Sequence, residues 1–509
     1  MLRIYQSSLW WPILSGVLLS LTLPYFGVWP LVWVALLPLF MFASNRVLTY
    51  GRLVWGTMLF GMIYAVCVIF PLARISGWWW SNQAGVFGDV GQHVLFAGAV
   101  GAVGFWGALF FLPLVFLIRF MDEKPYGPFV VACAWVFVEW LRSSFALFGY
   151  SWGVLGYTLI DTQYIKHAAS VHLPFGAGGV YTLSFVIVLY SMVSVDLLRF
   201  LGARSGSWHE RIRNTFSIFT NDAKRYASFW FFILLFFSSL LFGVLREYQP
   251  TPQGKEFRVA LIASQIPTES SIGEGAYRNY RTKLETAFAS GATVIVTPEN
   301  VFPFFELNEV DGTLNKNSLI QFGDRDQLYT DFLALLRTHP TTTVVVGLHS
   351  FNAAHERYNS IVYYTGGVIT EYYHKRKLVP FTEYAPFGGV AFPLPVRFVS
   401  GEREQYADIE GIRTGALLCS EVSDTTIPLH DIGLLLSPSN DSVFVGATAA
   451  TMHHQMARMR ALETGAYVLR ASKGGISSVI DPKGEVLESG VDGVIVADIF
   501  LKVTEGSLM

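Results

Sequence analysis

Of the three cysteines in this 509-residue chain, Cys67 and Cys133 lie inside apolar runs, while Cys419 follows the strand-like run Arg413-Thr-Gly-Ala-Leu-Leu. With no plausible disulfide partner, Cys419 reads as a nucleophile. A thiol of pKa about 8.5 is mostly protonated at neutral pH, so it attacks a carbonyl usefully only when a neighbouring base takes its proton. Two upstream motifs share the pattern of a buried-looking strand followed at once by a polar residue: Val294-Ile-Val-Thr-Pro-Glu299-Asn300 and Tyr373-His-Lys375, the latter running on to Glu383. The third is Leu417-Leu-Cys419-Ser-Glu421. A carboxylate that accepts a proton and a cation that stabilises an oxyanion are what covalent thiol catalysis needs.

The elements that must position these residues fall into two halves. Hydrophobic residues make up 52% of the chain and charged ones 15%, with mean hydropathy +0.42, too apolar for a water-soluble protein of this size. The excess lies in residues 9 to 26, 29 to 44, 53 to 73, 94 to 118, 126 to 147, 174 to 195 and 228 to 245. A crossing helix needs roughly 20 such residues, which predicts a bundle of about seven spans over 1–249, the second being short. Basic residues concentrate in alternate loops, including Arg46, Arg52, Arg119, Lys124, Arg199, Arg211 and Lys224. Lys and Arg stay on the cytoplasmic side during insertion, so the N-terminus is expected inside and the 250–509 half outside, in the periplasm of a Gram-negative cell. Net charge −2 gives no case for nucleic acid. Glu139 and Arg142, three apart, form either a structural pair or the mouth of a lipid-accessible site. Trp78, Trp79 and Trp80 read as an interfacial belt.

From Glu256 short β-rich runs alternate with helical ones, predicting layered sheet and helix. Strands are expected at 257–264, 293–297, 342–348, 358–365, 368–373, 414–418 and 433–437, and helices at 277–290, 326–338 and 447–464. The loops 301–323 and 384–399 carry Phe302, Phe304, Phe305, Phe387 and Phe392. Apolar loops on a water-soluble domain need a cover, so these phenylalanines are expected to be lipid-facing lids. His453 and His454 are adjacent on a helix without a metal-ligand spacing, and are expected to be solvated or capping. No metal and no cofactor is expected.

The three motifs resemble the nitrilase superfamily, whose catalytic set is Glu, Lys and Cys on an α-β-β-α sandwich. With the apolar half included, the chain resembles the bacterial apolipoprotein N-acyltransferase family over nearly all its length. Further matches are Glu139-Trp-Leu-Arg142, Ser439-Asn-Asp441 and the run from His454 to Glu463. The resemblance implies Glu299 as general base, Lys375 as oxyanion cation and Cys419 as nucleophile, with Glu383, Glu421 and Asn440 supporting. It also implies an inner-membrane enzyme that moves an acyl chain from a phospholipid, through a thioester, to the N-terminal amine of a diacylglyceryl-cysteine apolipoprotein. The chain departs from the family at Ser420, where Tyr is usual, and at Val443 and Ile272, where Trp is usual. A membrane-bound amidase using water, or an inactive lipid or lipoprotein binder, are the alternative readings.

Overall fold

The computed structural model describes residues 8–24, 26–73, 97–98, 100–122, 124–144, 151–171, 178–202, 227–249, 254–265, 274–315, 324–380, 382–385, 397–402, 405–427, 429–444 and 447–502. Phe387, Phe392, Ile272 and Trp78 to Trp80 lie outside them. The chain divides into two compact units, with the main-chain break between Tyr248 and Gln249.

In the first unit uncharged apolar sequence forms helix, since helix alone satisfies its own backbone groups without water. Each of the seven apolar stretches carries helical structure. Among the described residues four helices are long and apolar enough to cross a membrane: Tyr50–Ile69, Val100–Met121, Val180–Arg199 and Ala227–Glu247. The shorter ones include Trp10–Leu21 and Trp29–Ala43. Glu139, on the helix Gly127–Ser144, is buried and accepts hydrogen bonds from Trp135 Nε1 at 3.1 Å and the Leu155 N–H at 2.9 Å. The Leu155 bond ties the short helix Leu155–Leu159 to the helix Gly127–Ser144, a structural role for this carboxylate.

The second unit is built on two sheets. Strands β1 (Lys255–Ala263), β2 (Val294–Val296), β3 (Glu306–Asn308), β4 (Thr343–Phe351), β5 (Arg357–Thr365), β6 (Val368–His374) and β15 (Gly493–Leu501) make the first, in the order β15-β1-β2-β4-β5-β6 with β3 on β4. Strands β7 (Ala407–Ile409), β8 (Ile412–Ala416), β9 (Leu434–Leu436), β11 (Tyr467–Arg470), β13 (Ser477–Ile480) and β14 (Val486–Gly490) make the second, in the order β14-β13-β11-β9-β8-β7. Short strands β10 (Ser439–Asn440) and β12 (Ser472–Lys473) pair with each other. Val259, Leu261, Val296 and Val345 of the first sheet share one core with Ala416, Leu434, Leu436 and Leu469 of the second. On the other face of the first sheet, Ala260, Ile262, Ile295 and Val344 pack against the helices Glu274–Ala289 and Arg325–Arg337. The helix Ala447–Thr464 lies against β11. The near-continuous burial of β1 and β4 fits these layers, because successive side chains point to opposite faces and both faces are covered.

Three of the proposed lids need correction. Phe302, Phe304 and Phe305 are 1%, 0% and 0% exposed and belong to the core under the two helices. Phe302 packs within 6 Å of Tyr277, Tyr280 and Phe332, ring centre to ring centre. The helix Glu274–Ala289 presents an apolar face that must be covered, and these rings cover it.

Strand β4 approaches the Glu299 turn with no room to spare. A Cβ on Gly347 would stand 2.4 Å from the Pro298 carbonyl oxygen and 2.7 Å from the Glu299 Cα. Gly347→Ala is therefore expected to cost about 1–3 kcal/mol of stability in thermal unfolding, and to slow alkylation of Cys419 by iodoacetamide by displacing Glu299. Wild-type alkylation in a destabilised variant would show that the turn yields without moving the carboxylate.

Candidate active site

The polar residues of the three motifs stand where strands end. Glu299 lies just beyond β2, Lys375 directly beyond β6 and Cys419 beyond β8, in the short 3-10 helix Cys419–Ser423. Strand β2 runs parallel to β1 and β4, and β8 parallel to β9, which is in turn parallel to β11. Several site residues thus leave the carboxyl ends of parallel strands.

A hydrogen-bonded cluster joins Lys375, Glu299 and Glu383. Lys375 Nζ donates to Glu383 Oε1 at 2.8 Å, and Asn359 Nδ2 donates at 2.8 Å to that same oxygen and to Glu299 Oε1. The other Glu383 oxygen accepts the Val379 N–H at 2.7 Å, and the Lys375 N–H donates to the Asn359 carbonyl at 2.9 Å. Lys375, Glu299 and Glu383 are all buried. Burial opposes the charge of Lys375, but the carboxylates of Glu383 and Glu299 outweigh it and hold its pKa above the ordinary lysine value. Lys375 therefore remains a cation throughout the physiological range.

Cys419 experiences the opposite balance. Burial and the Glu299 charge push its thiol well up, more than Lys375 and the N–H of Asn440 pull it down. The resting nucleophile is a thiol, so its proton must leave as the sulfur attacks. Glu299 is the carboxylate whose charge acts most strongly on it.

Glu421 holds the two loops together. Its oxygens accept the Tyr373 hydroxyl at 2.7 Å, the Leu418 N–H at 2.8 Å, and the N–H groups of Arg376 and Lys377 at 2.7 and 3.0 Å. The residues flanking Lys375 and Cys419 are thereby fixed to one carboxylate. Asn440 presents its backbone N–H to the Cys419 sulfur, and its side-chain oxygen accepts the Ser442 hydroxyl at 2.6 Å. Val443 is 42% exposed.

Sequence reasoning missed several residues here. Asn359 was hidden within β5, although Asn is depleted in strands and its presence there was a signal. Lys473 is wholly buried and donates to the Asn300 carbonyl at 3.1 Å. Burial lowers its pKa to about 8, against the opposing pull of the Glu299 carboxylate. His453 and His454 are buried rather than solvated: His453 lies beside Asp441, and His454 Nε2 is 2.9 Å from the Ser478 hydroxyl. Among the described residues no group of His, Cys, Asp or Glu could hold a metal ion.

A family model for carbon-nitrogen hydrolases matches residues 258–506, and one for the apolipoprotein N-acyltransferase N-terminal domain matches residues 15–193. The chain belongs to the apolipoprotein N-acyltransferase family. It is 27% identical over 380 residues to apolipoprotein N-acyltransferase of Nitrosomonas europaea, covering 71% of this chain and 66% of that protein. With the Geobacter metallireducens protein of the same name the identity is 24% over 499 residues, 93% of this chain and 85% of the other. Yeast (Saccharomyces cerevisiae) Nit3, a member of the nitrilase superfamily, aligns at TM-score 0.36 and 16% identity over 49% of this chain and 93% of its own.

Lys473 gives a stability test of the cluster. Its folded pKa lies below the ordinary value near 10.4, so between pH about 8 and 10.4 the unfolded chain binds the extra proton and stability rises with pH. Lys473→Met is expected to raise thermal stability at pH 7, by up to roughly 3 kcal/mol, with the gain shrinking as pH rises through that window. A gain of equal size at pH 7 and pH 10.5 would mean that packing, not the buried charge, is responsible.

Proposed function

We propose that this protein transfers an acyl chain from a phospholipid to the N-terminal amine of a diacylglyceryl-cysteine apolipoprotein by a two-step exchange through Cys419. The observation that carries the reading is a partly buried, un-ionised thiol under the charges of a buried lysine cation and a carboxylate, the lysine paired with a second carboxylate, on a chain with four helices, among the described residues, able to cross a membrane. Glu299 takes the Cys419 proton as sulfur attacks the ester carbonyl. Lys375, held by Glu383, faces the oxyanion as it forms. Collapse breaks the carbon–oxygen bond, and the Glu299 proton goes to the departing lysophospholipid alkoxide. In the second step the amine attacks the thioester, its proton passes to Glu299, and the leaving thiolate recovers it.

The membrane half supports the choice of a lipid donor, since an amidase of small soluble substrates has no use for it. We read seven crossings with a cytoplasmic N-terminus, which the basic loop residues Arg46, Arg119, Lys124 and Arg199 favour, and an α-β-β-α catalytic domain in the periplasm. The bacterial inner membrane is then the site of reaction.

Two measurements test this. Purified protein given phospholipid alone should accumulate a Cys419 acyl adduct detectable by intact-mass spectrometry, discharged by a lipopeptide amine. Cys419→Ala should give neither adduct nor product, and Lys375→Ala should lose about 10² or more in rate. An adduct that disappears in water at the turnover rate without any acceptor would make the protein a hydrolase. For topology, a reporter fused after Thr251 should be active only outside the cytoplasm, and a fusion active only inside would overturn the periplasmic reaction.

A further inference from the structure

Cys419 adopts φ +52°, the left-handed region that residues with a Cβ seldom occupy. Such a conformation is unfavourable and persists only where surrounding contacts impose it. The Cys419 N–H donates to the Pro438 carbonyl at 2.8 Å, which fixes one side of the residue. The other side is fixed from the helix Ala447–Thr464: His453 Nε2 lies 3.0 Å from the Cys419 carbonyl oxygen. A carbonyl oxygen only accepts, so Nε2 carries the proton.

The imidazole is held in turn. His453 Nδ1 is 2.8 Å from Asp441 Oδ1, with the two side chains 1% and 0% exposed. Arg470 Nη2 and the Ser439 hydroxyl also approach Nδ1, at 3.1 and 3.4 Å. Asp441 accepts the Ser439 hydroxyl at 2.9 Å, Arg470 Nη2 at 2.6 Å and the Ser472 hydroxyl at 2.9 Å. A Cβ on Gly475 would stand 2.1 Å from Asp441 Oδ2, so the chain leaves space at that position for this carboxylate. None of these groups has a part in the proton transfers above.

We propose that His453, oriented by Asp441, is a positioning residue for the nucleophile: by donating to the Cys419 carbonyl it holds Cys419 in its left-handed conformation and fixes the plane of the Cys419–Ser420 peptide. Because a peptide is planar and trans, setting the direction of that carbonyl also sets the Ser420 N–H in the opposite direction. The pair acts on the approach of sulfur to the carbonyl carbon, not on the affinity for lipid. This inference rests on the thioester reading given above.

The test uses full-length protein in detergent with a short p-nitrophenyl ester as acyl donor. Rates of Cys419 acylation are compared for wild type, His453→Gln and His453→Phe, alongside thermal unfolding. Gln offers an N–H where Nε2 stood, whereas Phe keeps the ring, which in the native protein packs edge-to-face on Phe444 with centroids 5.9 Å apart, but has no donor. His453→Gln is expected to retain acylation within about tenfold, and His453→Phe to fall by roughly 10² in kcat with KM little changed. If Phe acylates like wild type, or if Gln and Phe are equally slow, the hydrogen bond does not position the thiol and the inference fails. Should His453→Phe not fold, His453→Asn takes its place, with a side chain too short to reach the carbonyl and the same expected loss. Absence of any acyl adduct in the wild type would instead refute the thioester reading itself.

Discussion

The carboxamide of Asn359 is the contact on which the site depends. Two carboxylates, Glu299 and Glu383, are buried close together, and like charges at short range repel strongly where water is excluded. Asn359 Nδ2 donates to both at 2.8 Å, and Lys375 Nζ neutralises one of them. With Lys473 near Glu299, two ammonium groups face two carboxylates. Burying ions is unfavourable unless each is paired and hydrogen-bonded, so removing Lys375 or Glu383 leaves its partner's charge exposed to the full penalty of desolvation. The arrangement is consequently a constraint on the whole unit: β5 must place Asn359, β6 must end at Lys375, and β2 must end short of Glu299 in register with both.

Sheet order meets that constraint. In β5, Asn359 pairs across to His349 of β4, while its carbonyl receives the Lys375 N–H. Gly347 of β4 allows the Pro298–Asn300 turn to lie against the strand. The second sheet contributes Cys419 after β8, Asn440 in β10 and Lys473 in β12, and the β10–β12 pairing sets the last two side by side in register. Glu421 then ties the Lys375 loop to the Cys419 helix through four hydrogen bonds. The site is thus assembled from strand ends of both sheets, and its precision is inherited from a shared apolar core.

The legible part of this was the part that breaks a pattern. Glu299 and Cys419 follow apolar runs and Lys375 ends the more exposed edge strand β6, and a charged or nucleophilic residue at such a place signals either a turn or chemistry. The strands and helices around them were also readable from periodicity, with β5, β6 and the helix Ala447–Thr464 close to the expected bounds. Phe302, Phe304 and Phe305 were misread because a Pro-Phe-Phe run after a polar turn resembles an exposed loop. Whether such a run is covered depends on the facing Tyr277, Tyr280 and Phe332, and that pairing is tertiary. His453 was misread for a similar reason: two adjacent histidines on a helix carry no sign of which faces inward, and only the Asp441 and Cys419 contacts decide it. Lys473 gave no signal at all, because lysine at a strand end is ordinarily solvated.

The balance of charge also bears on the proposed exchange. A thiol beside a carboxylate becomes a thioester beside a carboxylic acid, and the proton then leaves on the first product. No step adds or removes net charge from the buried cluster if the acceptor enters as a free amine. An ammonium would bring a third cation beside Lys375 and Lys473, and it has no lone pair with which to attack. The α-amino group has an ordinary pKa of about 8, so part of the acceptor is already neutral at physiological pH. In the proposed exchange a neutral amine would leave the charge of the cluster unchanged, as the resting thiol does.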